Sequence, residues 1–314
     1  MDLLSDVVTS MRSGTPGGAR VEMHGTWGWY LPGDPEVAGF MAVLAGVCHL
    51  FPDGADEPLR VVPGDLVFSP HGGGYGLADT SIAPTRTMEE ARPSAGGFHR
   101  HTYGTPDDRP PVAFVAGGYR MDRARTHSLL TALPAHIHIR ESGAGLTRVL
   151  AELGEETATS RPGGDALLPL LLDTLLVYIL RACLRPTSGA QVEGWARALD
   201  DPGIGAALAS VHRDPAHPWS VDALARTARM SRATFTRRFA ALTGMPPMSY
   251  VSWWRMNTAR GLLRDTDLSV EQVASRVGYS SPFAFSHAFR RGQGTSPLRF
   301  RGRRTGRSEN PLPP

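Results

Sequence analysis

Two segments of this chain, 50 residues apart, carry the same punctuation, and a repeat of that kind leaves few folds open. Ser231 precedes Arg232-Ala233-Thr234-Phe235-Thr236-Arg237-Arg238-Phe239, and Ser281 precedes Pro282-Phe283-Ala284-Phe285-Ser286-His287-Ala288-Phe289-Arg290-Arg291. Each serine is placed to cap a helix, and Pro282 fits a first helical position, where a missing N–H costs nothing. Phe235 with Phe239, and Phe285 with Phe289, put the same i, i+4 aromatic pair on the inward face. A shorter helix lies upstream of each: Ser220 opens Val221–Ala228 before an Arg229-Met230 turn, and Ser269 opens Val270–Val277 before Gly278. The result is two units of helix, turn and helix, a geometry in which the second helix can enter a DNA major groove. Between them, Met248–Arg264 carries Tyr250, Val251, Trp254, Met256, Ala259, Leu262 and Leu263 at helical spacing. Such a helix would hold the two units apart, which matters because successive major-groove faces recur at roughly 34 Å.

Charge supports the same reading from a different direction. Residues 211–314 hold 17 Arg against six acidic residues, a net of +11, whereas residues 1–210 carry a net of −8. The modest whole-chain charge of +3 therefore hides a strongly basic half, as a polyanion partner for one half alone would require. Every basic side chain is Arg and none is Lys, a bias that codon usage explains as well as DNA contact does.

Residues 203–301 resemble the DNA-binding domain of the AraC/XylS family of bacterial transcription regulators. The resemblance rests on Trp219-Ser220-Val221, Met230-Ser231-Arg232, Arg237-Arg238-Phe239, Trp254-Arg255-Met256, Ala259-Arg260-Gly261-Leu262-Leu263, Asp267-Leu268-Ser269-Val270, Val277-Gly278-Tyr279 and Thr295-Ser296-Pro297. It implies double-stranded DNA as the partner, with Ala233, Thr236 and Arg237 facing base edges and Arg232 and Arg238 better placed for phosphates. Thr234 completes the first candidate set. In the second unit the candidates are Ser281, Pro282, Phe283, Ser286, His287 and Arg290, so apolar contact replaces hydrogen bonding at the helix start. The chain departs from the family pattern at Arg229, where a turn Gly is usual, at His287, where Arg is usual, and at Gln293, where an aromatic usually packs.

The first half has the punctuation of a β protein. Val21-Glu22-Met23-His24, Trp27–Leu31, Phe40–Leu50, Leu59–Val62 and Val112–Arg120 are β-rich runs separated by Pro, Gly and Asp turns, which predicts a sandwich or barrel. Pro63-Gly64-Asp65-Leu66-Val67-Phe68-Ser69-Pro70-His71-Gly72 resembles a conserved cupin strand pair, and residues 3–185 resemble the cupin-like sensor domain of one AraC-type subfamily. The fold class expected is thus α+β and multidomain: an N-terminal cupin-like β-barrel with helices, then an all-α domain with two helix-turn-helix units. The domains expected are 1–185 for ligand sensing and dimerisation, a linker at 186–202 around a short Val192–Leu199 helix, 203–303 for DNA binding, and a disordered tail at 304–314.

The candidate effector residues are Trp27, Trp29, Cys48, His71 and Tyr75. Cupin metal sites use a His-x-His with a later Glu and a further His. This chain offers only Cys48-His49 in the first place and Tyr75 in the last, and strand alternation forbids Cys48 and His49 from sharing a face. A degenerate metal site or a reactive Cys48 stays open beside a plain small-molecule pocket. His99-Arg100-His101 and His136-Ile137-His138 each set two imidazoles at strand spacing without a third ligand in register. No catalytic residue, metal or cofactor is expected.

Two helices are predicted to close the first half, Gly145–Leu153 and Ala166–Leu184. The second is nearly encircled by leucine, with Leu175 and Leu176 expected to face outward and a surplus face suited to a homodimer. Asp173 and Arg181 interrupt it, so a membrane span is not expected. With two cysteines and an acidic, short apolar N-terminus, a cytoplasmic protein is the expectation.

Overall fold

The computed structural model describes residues 8, 16–87, 97–120, 130, 133–140, 143–159, 161–184 and 193–305. These divide into two compact units, one made of the described residues from 16 to 193 and the other of 194–305 together with residue 8.

The N-terminal unit is built from β1 (Gly17–Met23), β2 (Gly28–Leu31), β3 (Val37–Ala45), β4 (Cys48–Pro52), β5 (Leu59–Val61), β6 (Leu66–Ser69), β7 (Tyr75–Ala78), β8 (Gly97–Tyr103), β9 (Val112–Arg120) and β10 (Ile137–Ile139). One sheet has the order β10-β6-β3-β9-β1-β8 and the other β2-β7-β4-β5. The predicted run Phe40–Leu50 is two strands, because Gly46 takes φ 74° and turns the chain between β3 and β4. Inward side chains from both sheets, among them Val21, Met41, Val43, Leu50, Val67, Leu77 and Phe114, form one apolar core. Along β4 burial alternates, with Cys48 inward and His49 only half-buried, as the pleat demands.

Two helices follow, α1 (Gly143–Ala158) and α2 (Gly164–Cys183). On length and composition α2 could cross a bilayer, yet Leu172, Leu175, Leu176, Ile179, Leu180 and Cys183 are buried, and the Tyr119 hydroxyl donates to the Leu172 carbonyl. One face of it packs into the N-terminal unit. Leu175 and Leu176 therefore do not face outward; the exposed leucines are Leu167 and Leu170, at 40% and 62%.

The C-terminal unit is all-helical: α3 (Glu193–Asp200), α4 (Pro202–Arg213), α5 (Val221–Thr227), α6 (Arg232–Thr243), α7 (Pro247–Asp265), α8 (Val270–Arg276), α9 (Pro282–Gln293) and α10 (Pro297–Thr305). Of the expected linker, 186–192 lies outside the described residues, but α3 packs into this unit. Trp195 is buried, with its ring 6.0 Å from that of Tyr250, and Ala198 is fully buried. A short helix with one apolar face must bury it somewhere, and the start of α7 supplies the surface. Asp201-Pro202 then opens α4, the Asp201 carboxylate accepting from the Gly203 and Ile204 N–H groups at 2.9 and 2.8 Å. At the other end α10 runs to Thr305, and the rest of the expected tail lies outside the described residues.

Candidate nucleic-acid interface and N-terminal cavity

The first reading unit is held by its caps. Ser220 accepts from the Ala223 N–H and Ser231 from the Thr234 N–H, at 3.1 and 3.3 Å. The turn between them puts Arg229 at φ 54°, a left-handed conformation that a side chain adopts at a cost. Phe235 and Phe239 are buried with ring centroids 5.4 Å apart, which turns the opposite face of α6 to solvent. Arg232, Ala233, Thr234, Arg237 and Arg238 are exposed there, with Thr236 half-buried and bonded back to the Arg232 carbonyl.

The cations on this face are not equivalent. Arg232 pairs loosely with Asp222 at 3.3 Å, both side chains being exposed. Arg238 pairs at 2.6 Å with Asp201, whose side chain is only 3% exposed and already caps α4. Among the described residues no carboxylate pairs with Arg237. Arg237 is therefore the cation of α6 with its guanidinium uncommitted within this set.

The second unit repeats the design with one change. Ser269 and Gln272 form a reciprocal capping box, and Ser281 accepts from the Phe283 and Ala284 N–H groups. Ser220 and Ser269 are 49 residues apart while Ser231 and Ser281 are 50 apart, so the second turn holds one extra residue, Ser280. Gly278, at φ 80°, takes the left-handed position here. Phe285 and Phe289 are fully buried, and Phe283 stands 89% exposed beside Pro282, Ala284, His287 and Arg290, with Ser281 and Ser286 half-buried.

Among the described residues, no cavity brings the five candidate effector residues together. Trp27 and Cys48 belong to the sandwich core. Burial, with Asp65 nearby, pushes the Cys48 thiol up to about 12. Trp29 packs at the edge of that core under the Arg86 guanidinium, 4.6 Å from its ring. His71 bonds through Nε2 to the Leu133 carbonyl at 2.8 Å. Only Tyr75 lines a cavity of about 200 Å³, together with Leu31, Val37, Phe40, Ser69 and Arg120. Burial, then the neighbouring Cys48, holds the Tyr75 phenol at about 12, so it is a neutral hydrogen-bonding group. Three separate segments build that cavity, which is why strand patterns alone do not disclose it.

The histidine pairs also separate. His99 and His101 lie along β8 with tilted rings, centroids 6.2 Å apart. Ser69 meets His136 Nδ1 at 2.8 Å and Asp65 meets His138 Nε2 at 3.0 Å, while burial lowers the pKa of His136. Among the described residues no three His, Cys, Asp or Glu side chains gather closely enough to hold a metal ion.

A sandwich domain carrying a cavity, followed by two capped helix-turn-helix units, defines a DNA-binding regulator with an attached cupin domain. Comparison with known proteins agrees. A cupin family matches residues 2–185 and a helix-turn-helix domain family matches residues 224–303. A putative AraC-like transcription regulator of Streptomyces lividans is 33% identical over 96% of this chain and 98% of its own length. The transcriptional regulator AlkR of Acinetobacter baylyi is 27% identical over 96% of this chain and 99% of its own. The DNA-binding domain of the global transcriptional factor AdpA, solved with a target DNA, is 37% identical, covering 35% of this chain and 99% of that one, with a TM-score of 0.33. The chain belongs to the AraC family of transcription regulators.

Proposed function

We propose that this regulator is controlled by a small-molecule effector held in the cavity between Leu31, Val37, Phe40 and Tyr75, and that α6 and α9 contact DNA. The observation that supports the first part is the cavity itself: apolar walls with a few polar groups, Ser69, Tyr75 and Arg120, converging on it. In this reading Arg237, Thr236 and Ala233 meet base edges and Arg232 meets phosphate, while Arg238 reaches phosphate only by leaving Asp201. On α9, Pro282, Phe283 and Ala284 meet the groove by apolar contact, with Ser281, Ser286, His287 and Arg290 reaching bases or phosphates. The exposed Leu167 and Leu170 of α2 form the homodimer contact, and the protein works in the cytoplasm.

The cupin domain acts here as a sensor and not as an enzyme. An electrophile-sensing Cys48 is disfavoured, because a fully buried thiol held near 12 stays protonated at neutral pH and the thiolate is the reactive form.

Gly39 gives a direct test. A Cβ added there would meet nothing closer than the Gly117 carbonyl at 3.8 Å, so Gly39→Leu should fill the cavity without breaking the sheet. Native mass spectrometry of the wild type, incubated with extract of its own host, should show a small bound molecule that Gly39→Leu lacks. Equal retention by both proteins would place the effector elsewhere. Sedimentation of Leu170→Asp should show monomers if α2 forms the dimer contact, and an unchanged dimer refutes that part.

A further inference from the structure

The two reading units are joined by α7, and each half of that helix carries one of them. Tyr250 packs edge-on to Phe239 at 5.7 Å, and Trp254 stacks on His212 of α4 at 3.6 Å, so the first half belongs to the first unit. Met256, Ala259 and Leu263 pack with Val273, Val277, Phe285 and Phe289 of the second unit. Arg255 stands at the changeover, between Trp254 and Met256.

Its side chain reaches both units. Nε donates to the Pro215 carbonyl and Nη2 to the His217 carbonyl, each at 2.8 Å, in the loop that leads into α5. That loop is itself shaped by Asp214, whose carboxylate accepts from the His217 N–H and whose carbonyl accepts from the Trp219 indole. On the other side the guanidinium lies over the Tyr279 ring, 6.0 Å from its centroid, in the turn of the second unit. The fit there is close: a Cβ on Gly278 would sit 2.8 Å from Arg255 Nη2 and 2.7 Å from the Ala216 carbonyl. Burial lowers the Arg255 pKa, as expected for a cation drawn out of water between two packed segments.

We infer that Arg255 is a positioning residue for two-site DNA recognition: it fastens the turn of the second unit to the loop before the first and so fixes the spacing between α6 and α9. A planar fork with fixed donors suits this role, because two carbonyls and one aromatic face are satisfied at once. Lysine offers a point charge on a flexible stem and cannot reproduce the geometry. At 19 residues α7 spans roughly 28 Å at 1.5 Å per residue, and Arg255 adds a direct tie between the two units to the packing of each on the helix. This inference rests on the reading that both α6 and α9 enter grooves.

The test uses the full chain and an operator selected in vitro from random DNA, remade with one or two base pairs added or removed between its halves. The wild type should lose about tenfold in affinity per base pair of altered spacing, because both helices no longer engage together. Arg255→Ala and Arg255→Lys should both bind the selected spacing more weakly and should lose only about threefold per base pair. A uniform loss on every spacing, with the wild-type penalty intact, would overturn the role and leave Arg255 a stabilising or phosphate-binding residue. If Arg255→Ala does not fold, Arg255→Lys and Tyr279→Leu decide, since each removes one side of the clamp. A wild type indifferent to spacing would instead break the two-helix reading itself.

Discussion

The two helix-turn-helix units share a skeleton and differ in what they show to solvent. Both use serine caps and a buried phenylalanine pair, so the same local rules fold them. The first strains its turn by holding Arg229 in the left-handed region and presents arginines on α6; the second relaxes its turn with Gly278 and presents Pro282, Phe283 and Ala284. Folding duty and reading duty are thus carried by opposite helix faces, and one face can change while the other stays. On the proposed reading, the first unit would supply hydrogen-bonded base discrimination and the second apolar and shape-based contact.

The largest expected effect lies at the relaxed turn. Gly278→Ala forces a side chain into the left-handed region and against the Ala216 carbonyl, and should cost about 3 kcal/mol of stability, read by urea denaturation. A loss under about 1 kcal/mol would mean the two turns are interchangeable after all.

Next is Arg237→Ala on α6, expected to cost about 2 kcal/mol on the selected operator and to relax discrimination at one base pair, with little change on random DNA. Equal loss on both DNAs would remove the base-reading role of the first unit. Arg238→Ala sharpens the same point. Leaving Asp201 buried without its guanidinium should lower stability by about 1 to 2 kcal/mol, which Arg237→Ala should not do.

Phe283→Ala, at a fully solvated position, should leave the melting temperature unchanged and weaken operator binding by about 1 kcal/mol. A base-by-base substitution scan should place that loss at thymine-bearing positions; losses as large as those under α6 would reverse the proposed division of labour. The smallest effect is Arg229→Gly, which should stabilise the first unit by about 0.5 to 1 kcal/mol by removing the strained conformation. A destabilised variant would show that Arg229 makes up its strain through contacts of its own.

Much of the C-terminal domain is legible in the residues alone, down to all four serine caps, because a cap, an i, i+4 pair and a Pro at a first helical turn are decided by residues within a few positions of one another. Asp201-Pro202 is an equally local signal for the start of α4, although the surrounding Gly and Pro point to a linker. Most strands of the first half are legible from β-rich runs and turn residues, although β7 carries no such signal and the run Phe40–Leu50 conceals two strands.

What only the tertiary structure decided are contacts between segments distant in the chain. Leu175 and Leu176 look like a spare apolar face on a leucine-rich helix, yet packing of α2 in its own domain buries them and leaves Leu167 and Leu170 outside. Arg238 and Arg237 are neighbours of one type, and the Asp201 carboxylate pairs with the first of them. Trp27 and Cys48 belong to the core while Tyr75 reaches the cavity, because that cavity is closed by β3, β9 and two loops that meet only once both sheets have formed. Arg255 belongs to a motif that the sequence singles out, but its partners, two carbonyls and a ring from separate parts of the chain, are not readable there. Local hydrogen bonding and periodicity are written in adjacent residues, whereas burial and partnership depend on how distant segments close on one another, which one sequence does not encode in any single stretch.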